Sequence, residues 1–383
     1  MNPHGGPPGF PAGLPSSNNP NREIVMKEYK LAFIPGDGVG PEVAAETVKV
    51  LQACAARFSF SIAATTFAWD CDYYLKHGKM MPDDGLDTLR AFDAIFLGSV
   101  GDPAKVPDHI SLSSLLAIRK GFDQYVNLRP ILLHEGVSSP VTTCTPATVN
   151  MVVIRENTEG EYSRLGGIFA PDAPHGFASQ MAIFSRTGCE RVMRYAFELA
   201  RERKAAGHKG KVTNCTKSNA LNYSMVYWDA IFKEVAARYP DIETNYYLVD
   251  ALSMIMITDP GQFDVIVASN LFGDIITDLG AVLQGGIGLA AGGNLDPERR
   301  NPSMFEPIHG SALALAGKGK VNPIASIESG RMMLDFLGEK EAAAALLGAV
   351  KKVLADGKVR TSDMGGNSST SQVGDAVKAA LSG

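Results

Sequence analysis

The sequence predicts an α/β protein built on a mixed, largely parallel sheet, and three observations predict it. Short continuous apolar runs, Lys30 to Pro35, Ala94 to Gly98 and Asp264 to Ala268, have the length of strands buried on both faces. Helical patterns fall between such runs, the strand–helix–strand rhythm of parallel sheets. Apolar residues make up 45% of 383 residues, enough for a large core in one or two domains.

The elements follow in order. After the strand at Lys30 to Pro35, Gly36-Asp37-Gly38-Val39-Gly40 is a turn, and Pro41 suits the first position of a helix running to about Arg57. Ser59 to Thr66 alternates like a strand, Asp83 to Phe92 reads as a helix, and Ala94 to Gly98 is again a strand. Val149 to Arg155 and Met181 to Arg186 read as strands separated by a polar, Gly-containing segment. Cys189 to Ala206 and Ser224 to Tyr239 are helices alternating with strands at Lys211 to Cys215 and Thr244 to Val249. Met254 to Ile257 continues into a helix before the strand at Asp264 to Ala268. A long Gly-rich loop is expected from Gly285 to Asn301, then helices at Asn322 to Leu337, Glu339 to Ala355 and Ser371 to Leu381. The expected division is one domain of 27–124 plus 284–383 and a second of 125–283.

Composition excludes several classes. A net charge of −5, from 41 acidic and 36 basic residues, gives no electrostatic footprint for nucleic acid or an anionic membrane. No stretch approaches the roughly 20 apolar residues of a membrane span. Five scattered cysteines without a Cys-x-x-Cys pair argue against a disulfide framework or zinc site and point to a reducing, cytoplasmic location. Residues 1–26, rich in Pro, Gly, Ser and Asn, read as a disordered tail without the apolar core of a secretory signal.

The chemistry-bearing residues centre on Ser269 to Gly280. Asp274 and Asp278, four residues apart after a buried strand, project from one face of a helix starting near Gly273. Two carboxylates there make half of a hard divalent-cation site, or else an acidic first turn that complements the helix dipole. Arg119, Arg129 and Arg155 offer rigid forks that grip carboxylates bidentately, and three converging guanidiniums suit a substrate with two carboxylates.

Seven motifs recur in order: Pro35 to Glu42, Asn127 to Pro130, Arg155 to Gly160, Thr216 to Asn219, Asn270 to Asp274, Glu306 to Ser311, and Asn322-Pro323. This set resembles the β-decarboxylating dehydrogenases of the isocitrate/3-isopropylmalate dehydrogenase family. Phe122 to Pro130, Glu161-Tyr162-Ser163 and Asn294 to Arg299 look most like its tartrate dehydrogenase/D-malate dehydrogenase branch. The resemblance implies a two-domain isopropylmalate-dehydrogenase-like fold rather than a Rossmann fold; Gly36, Gly38 and Gly40 also lack the Gly-x-Gly-x-x-Gly spacing.

The resemblance also implies roles. Arg119, Arg129 and Arg155 would hold substrate carboxylates, while Asp250, Asp274 and Asp278 would hold Mg²⁺ or Mn²⁺. Tyr162 and Lys217 would be the proton-transfer pair. Glu306, His309, Gly310, Ser311, Ala312 and Asn322 would lie against NAD, with NADP open. The active unit would be a homodimer in which the lysine and one aspartate reach in from the neighbouring subunit. The implied reaction oxidises a 2-hydroxy diacid to a keto acid, and the carboxylate on the next carbon departs as CO₂. A dication on the hydroxyl oxygen lowers its pKa and then stabilises the enolate. Lys217 would take the hydroxyl proton and Tyr162 would protonate the enolate carbon.

Several segments depart from the family pattern. Leu313-Ala314-Leu315 replaces Pro-Asp-Ile and so lacks the carboxylate expected for the adenosine ribose. Gly292 and Gly293 are expected to loosen a loop beside the cofactor, and Glu328 stands where the branch has Trp. Ser111 to Leu116 lacks the branch's Trp-Gly, at the variable end of the substrate. These departures leave three readings: a D-malate or tartrate enzyme, a 3-isopropylmalate enzyme or relative with a larger substrate, and a non-catalytic regulatory paralogue.

Overall fold

The computed structural model describes residues 26–382; apart from Met26, the tail expected over 1–26 lies outside the described residues. The strands are β1 (Lys27–Gly36), β2 (Phe60–Thr66), β3 (Ala94–Ser99), β4 (Val126–Leu132), β5 (Asn150–Glu156), β6 (Gly160–Phe169), β7 (Phe177–Ile183), β8 (Lys211–Thr216), β9 (Glu243–Leu248), β10 (Val265–Ala268), β11 (Ala291–Leu295) and β12 (Ser303–Pro307). The helices are α1 (Gly40–Phe58), α2 (Cys71–His77), α3 (Gly85–Leu89), α4 (Asp108–Ser111), α5 (Ser113–Gly121), α6 (Arg186–Ala205), α7 (Ser224–Ala236), α8 (Val249–Thr258), α9 (Asn270–Leu283), α10 (Ile324–Leu337), α11 (Lys340–Asp356) and α12 (Thr370–Ser382).

Ten strands form one sheet in the order β2-β1-β3-β12-β11-β4-β5-β10-β8-β9. The pairings from β2 to β12 are parallel, as are those from β5 to β9. Between these blocks, β12, β11, β4 and β5 pair antiparallel. Helices cover both faces, which is why central strands read as apolar runs. Alternation along β5 shows the two sides: Val152 and Ile154 face a core shared with α6 and α7, while Met151 and Val153 face one under α8 and α9. Beyond the other block, α1, α10, α11 and α12 pack together against the same large core.

The structure corrects several expectations. The segment expected as a Gly-rich loop contains β11, enclosed between β4 and β12 with every residue buried. Its glycines do not loosen it: a Cβ on Gly293 would sit 3.1 Å from ring atoms of Phe305, so glycine is there for lack of space. The polar segment before Met181 is itself β6, which pairs only with β7 in a two-stranded ribbon. The helix expected over Asp83 to Phe92 shortens to α3. Helix α9 starts at Asn270 rather than near Gly273, so no acidic residue lies in its first turn. The dipole-complementing reading of Asp274 therefore fails, because the dipole acts only at the helix end.

Glu328, a charge where a large apolar residue was expected, is buried and pairs with Arg331 at 2.7 Å. All five cysteines are free and buried. Among the described residues, no helix is long and apolar enough to cross a membrane.

Candidate active site

The site lies where the antiparallel seam meets α5 and α9. There Arg119 from α5, Arg129 from β4, Arg155 from β5, Tyr162 from β6, Asp274 from α9 and Glu306 from β12 line one cavity of about 240 Å³. Arg129 and Arg155 alternate with apolar residues on β4 and β5, so their side chains leave the sheet on the α9 face.

Asp274 joins these groups. Its Oδ1 accepts from Arg155 Nη1 at 2.5 Å and from Arg129 Nη1 at 3.4 Å, and its Oδ2 accepts from Tyr162 OH at 3.0 Å. Burial pushes the carboxyl pKa up, but Arg155 and Arg129 outweigh it and hold the group below the usual aspartate value. Burial and neighbouring Arg129 push the Arg155 guanidinium below its ordinary value, with Asp274 opposing. Burial, then Asp274, raises the Tyr162 phenol, which therefore stays protonated and able to donate at neutral pH.

Two neutral groups and one further carboxylate fix the guanidiniums. Asn270 Oδ1 accepts from Arg155 Nε at 3.0 Å and Nη2 at 2.7 Å, a bidentate grip on the edge turned away from Asp274. Arg129 Nη1 donates to Thr277 Oγ1 at 2.5 Å. Arg119 Nη2 donates to Glu306 Oε1 at 2.6 Å. The Nε atoms of Arg119 and Arg129 and Nε2 of His309 are buried without a protein partner. The two arginine Nε atoms are donors left open and suit an anionic ligand, whereas His309 turns Nδ1 to the Gly310 carbonyl and so leaves Nε2 as an acceptor.

Not every expected residue reaches this cavity. Glu306, His309 and Gly310 line it, whereas Ser311, Ala312 and Asn322 lie in the loop beyond. That loop is tied to the start of α1: Val39 N donates to the Ser311 carbonyl at 2.9 Å, and the Glu42 carboxylate accepts from Gly317 N and Gly319 N. Ala312 sits at φ +40°, and Asn322 Nδ2 donates to Asp363. Leu313–Leu315 forms a single 3₁₀ turn with both leucines partly exposed.

Asp278 follows Asp274 by one turn on α9, its pKa raised by burial and by Asp274 against the pull of Arg129. Lys217 and Asp250 pair with each other at 2.9 Å, outside the cavity. They follow β8 and β9, the last two strands at one end of the sheet order, whereas the cavity is built on the strands around β4 and β5. Among the described residues, no group of three or more His, Cys, Asp or Glu is placed to hold a metal within one chain. Asp274 and Asp278 still fit half of an oxygen-ligand site for a hard dication, being carboxylates four residues apart on one helix.

Sequence reasoning missed Asn270 and Thr277 as supports of the site's arginines. Asn270 opened a quoted motif, but its partner Arg155 is 115 residues away.

A cleft of this size walled by guanidiniums selects a small polycarboxylate, and the phenol and carboxylates within it can move protons. A family model described as isocitrate/isopropylmalate dehydrogenase matches residues 30–377, and the chain belongs to that family of oxidoreductases. A probable tartrate dehydrogenase/decarboxylase of Agrobacterium vitis is 50% identical over 360 residues, covering 94% of this chain and 99% of the relative. The D-malate dehydrogenase [decarboxylating] of Escherichia coli K12 is 48% identical, covering 92% and 98%. The crystal structure of isocitrate dehydrogenase from Methylococcus capsulatus superposes with a TM-score of 0.83 at 37% identity, covering 92% of this chain and 99% of that one.

Proposed function

We propose that the protein is a metal-dependent, NAD-linked enzyme that oxidatively decarboxylates a small 2-hydroxy diacid of the D-malate or tartrate type. The observation that carries this reading is the convergence of Arg119, Arg129 and Arg155 on one cavity with Tyr162 and Asp274. The names of the relatives above, acting on tartrate and D-malate, support the substrate class.

The arginines bind the two carboxylates and turn the hydroxyl-bearing carbon toward the Glu306 to Gly310 wall, where the nicotinamide fits. A bound Mg²⁺ or Mn²⁺ supplies Lewis acidity at the hydroxyl oxygen, and the nicotinamide supplies the hydride acceptor. Lys217 takes the hydroxyl proton. The carbinol carbon gives up its hydride and becomes a ketone; only then does the carbon–carbon bond to the departing carboxylate break, so that CO₂ leaves and the electron pair of the broken bond passes into an enolate. Tyr162 returns a proton to the enolate carbon.

Asp274 and Asp278 are the ligands one chain offers the metal. Asp250 is the third, and it comes with Lys217 from a partner subunit in a homodimer. Exposed apolar surface supports that pairing: Ile168 is 72% exposed and Phe169 61% on the β6–β7 ribbon, and Tyr223 at the start of α7 is 92% exposed. We place a domain boundary near 125 and 284, so that the cavity lies between domains of 27–124 plus 284–383 and 125–283. A cytoplasmic location suits five reduced cysteines.

The test mixes purified protein with Mn²⁺ and NAD⁺ or NADP⁺ over a panel of D-malate, tartrate isomers and 3-isopropylmalate. Reduced nicotinamide and CO₂ should form together with D-malate or tartrate. No reduced nicotinamide from any diacid with either cofactor rejects the reading. A 3-isopropylmalate enzyme is the second reading, favoured by the apolar wall of Leu112, Leu115 and Leu116 in the cavity. A regulatory paralogue loses part of its motivation, since Gly292 and Gly293 lie in a buried strand rather than a loosened loop.

A further inference from the structure

Asn294 sits in β11 with its side chain fully buried. Its oxygen accepts from two amide nitrogens, Asn127 Nδ2 on β4 and Asn157 Nδ2 just past β5, each at 2.9 Å. Its nitrogen donates to Glu306 Oε1 at 2.8 Å and, more weakly, to the Met304 carbonyl at 3.4 Å. That same oxygen takes the Arg119 Nη2 hydrogen.

The direction of this chain of hydrogen bonds is fixed from one end. Asn157 Nδ2 also donates to the Gln124 backbone carbonyl at 2.9 Å, which can only accept. Asn157 therefore turns its nitrogen toward Asn294, Asn294 turns its oxygen to meet it, and the nitrogen left over faces Glu306. The Glu306 oxygen must then accept from both sides, and its position sets where the Arg119 fork points. The arrangement has a cost: the Asn127 and Asn157 oxygens are buried without a partner. Apolar side chains would fill the seam without that cost, so packing alone does not explain three amides here.

We propose that Asn294 is a positioning residue for the reaction, holding Glu306 and, through it, aiming Arg119 at a substrate carboxylate. The proposal rests on the reading of Arg119 given above. It predicts behaviour that a merely structural amide would not show. In Asn294→Asp, an oxygen replaces the nitrogen facing Glu306. Two carboxylates in contact cannot both stay ionised, so a shared proton restores the hydrogen bond at low pH and its loss breaks the contact at high pH. The charged groups facing this pair are Arg119, Arg129, Arg155 and Asp274, with His309 the neighbouring ring. The ratio to wild type removes the titration the two proteins share, and Asn294→Leu, which adds no charge, controls for the amide's loss alone.

The experiment measures KM for D-malate with Mn²⁺ and NAD⁺ at pH 6.5 and 8.5, taken as the ratio of variant to wild type. For Asn294→Asp the ratio should stay below about threefold at pH 6.5 and exceed about tenfold at pH 8.5, with kcat changing less. Asn294→Leu should raise KM similarly at both. A ratio for Asn294→Asp that is flat with pH, or near one throughout, overturns the proposal. Should that variant not fold, Asn157→Leu, which removes the donor that fixes the direction, must raise KM more than it lowers kcat. If the wild type oxidises no diacid, the assigned reaction fails on its own. Crystal structures of Asn294→Asp at the two pH values then decide: the Arg119–Glu306 contact must persist at pH 6.5 and part at pH 8.5, and an unchanged contact refutes the relay.

Discussion

Asp274 serves three partners at once, and its replacement separates two effects. Asp274→Asn keeps the shape but leaves the Arg155 guanidinium, 2% exposed, without its counter-charge. Removing one partner of a buried pair costs 3–5 kcal/mol; here the carboxylate is 37% exposed, which reduces the expected cost to about 1–3 kcal/mol. The sign with pH follows from the lowered pKa. A depressed carboxyl stabilises the fold above its unfolded value and loses that contribution as pH falls through its folded value. The cost of Asp274→Asn, measured by urea unfolding without added dication, should be constant from pH 5 to 8 and shrink toward pH 3. A cost that grows on acidification contradicts the assignment. Arg155→Lys tests the fork instead of the charge: it keeps the cation but loses the bidentate grip of Asn270, and KM for the diacid should rise by about 10- to 100-fold.

Between elements, one close constraint is the contact of the α1 turn with the loop after β12. Gly38 has φ +60°, and a Cβ there would lie 2.0 Å from the Ser311 carbonyl oxygen, so Gly38→Ala must part the two segments. We expect a loss of about 2 kcal/mol or more in denaturant unfolding, with a raised KM for the nicotinamide cofactor. Gly207→Ala is the control: φ is +90° there but the space is open, so about 1 kcal/mol should be lost with KM unchanged. Equal effects from the two would show that backbone strain alone matters. The same scale shows what the sequence made legible. Strands β3 and β10 announce themselves because both faces are buried, and α1 because Pro41 marks its start. Strands β4 and β11 were hidden because other demands chose their residues. β4 carries Asn127, Arg129 and Pro130, and β11 carries two glycines and an asparagine, none of which favours a strand. Where the site and the sheet share a segment, the site's requirements dominate its composition. Asp274 and the three arginines, which do line the cavity, were legible from residue type and motif; Asn270, Thr277 and Asn294 act only through contacts set by the fold.

For the whole molecule, the separation of Lys217 and Asp250 from the cavity makes the proposed dimer testable by complementation. In one chain these two groups pair beyond β8 and β9, outside the cavity that Tyr162, Arg155 and Asp274 line. If each site joins one subunit's cavity to the partner subunit's Lys217, then Lys217→Ala and Arg155→Ala damage different halves of a site. Homodimers of either variant should be inactive. A heterodimer places both lesions in one site and leaves its other site intact. Random pairing of equal amounts gives about half heterodimers, each with one working site of two, so the mixture should recover about a quarter of wild-type activity. Co-expression with two distinguishable tags lets the heterodimer be isolated, and alone it should show about half of wild-type kcat with an unchanged KM. An inactive heterodimer of confirmed composition would place Lys217 and Arg155 in the same functional unit, and the shared site would be wrong.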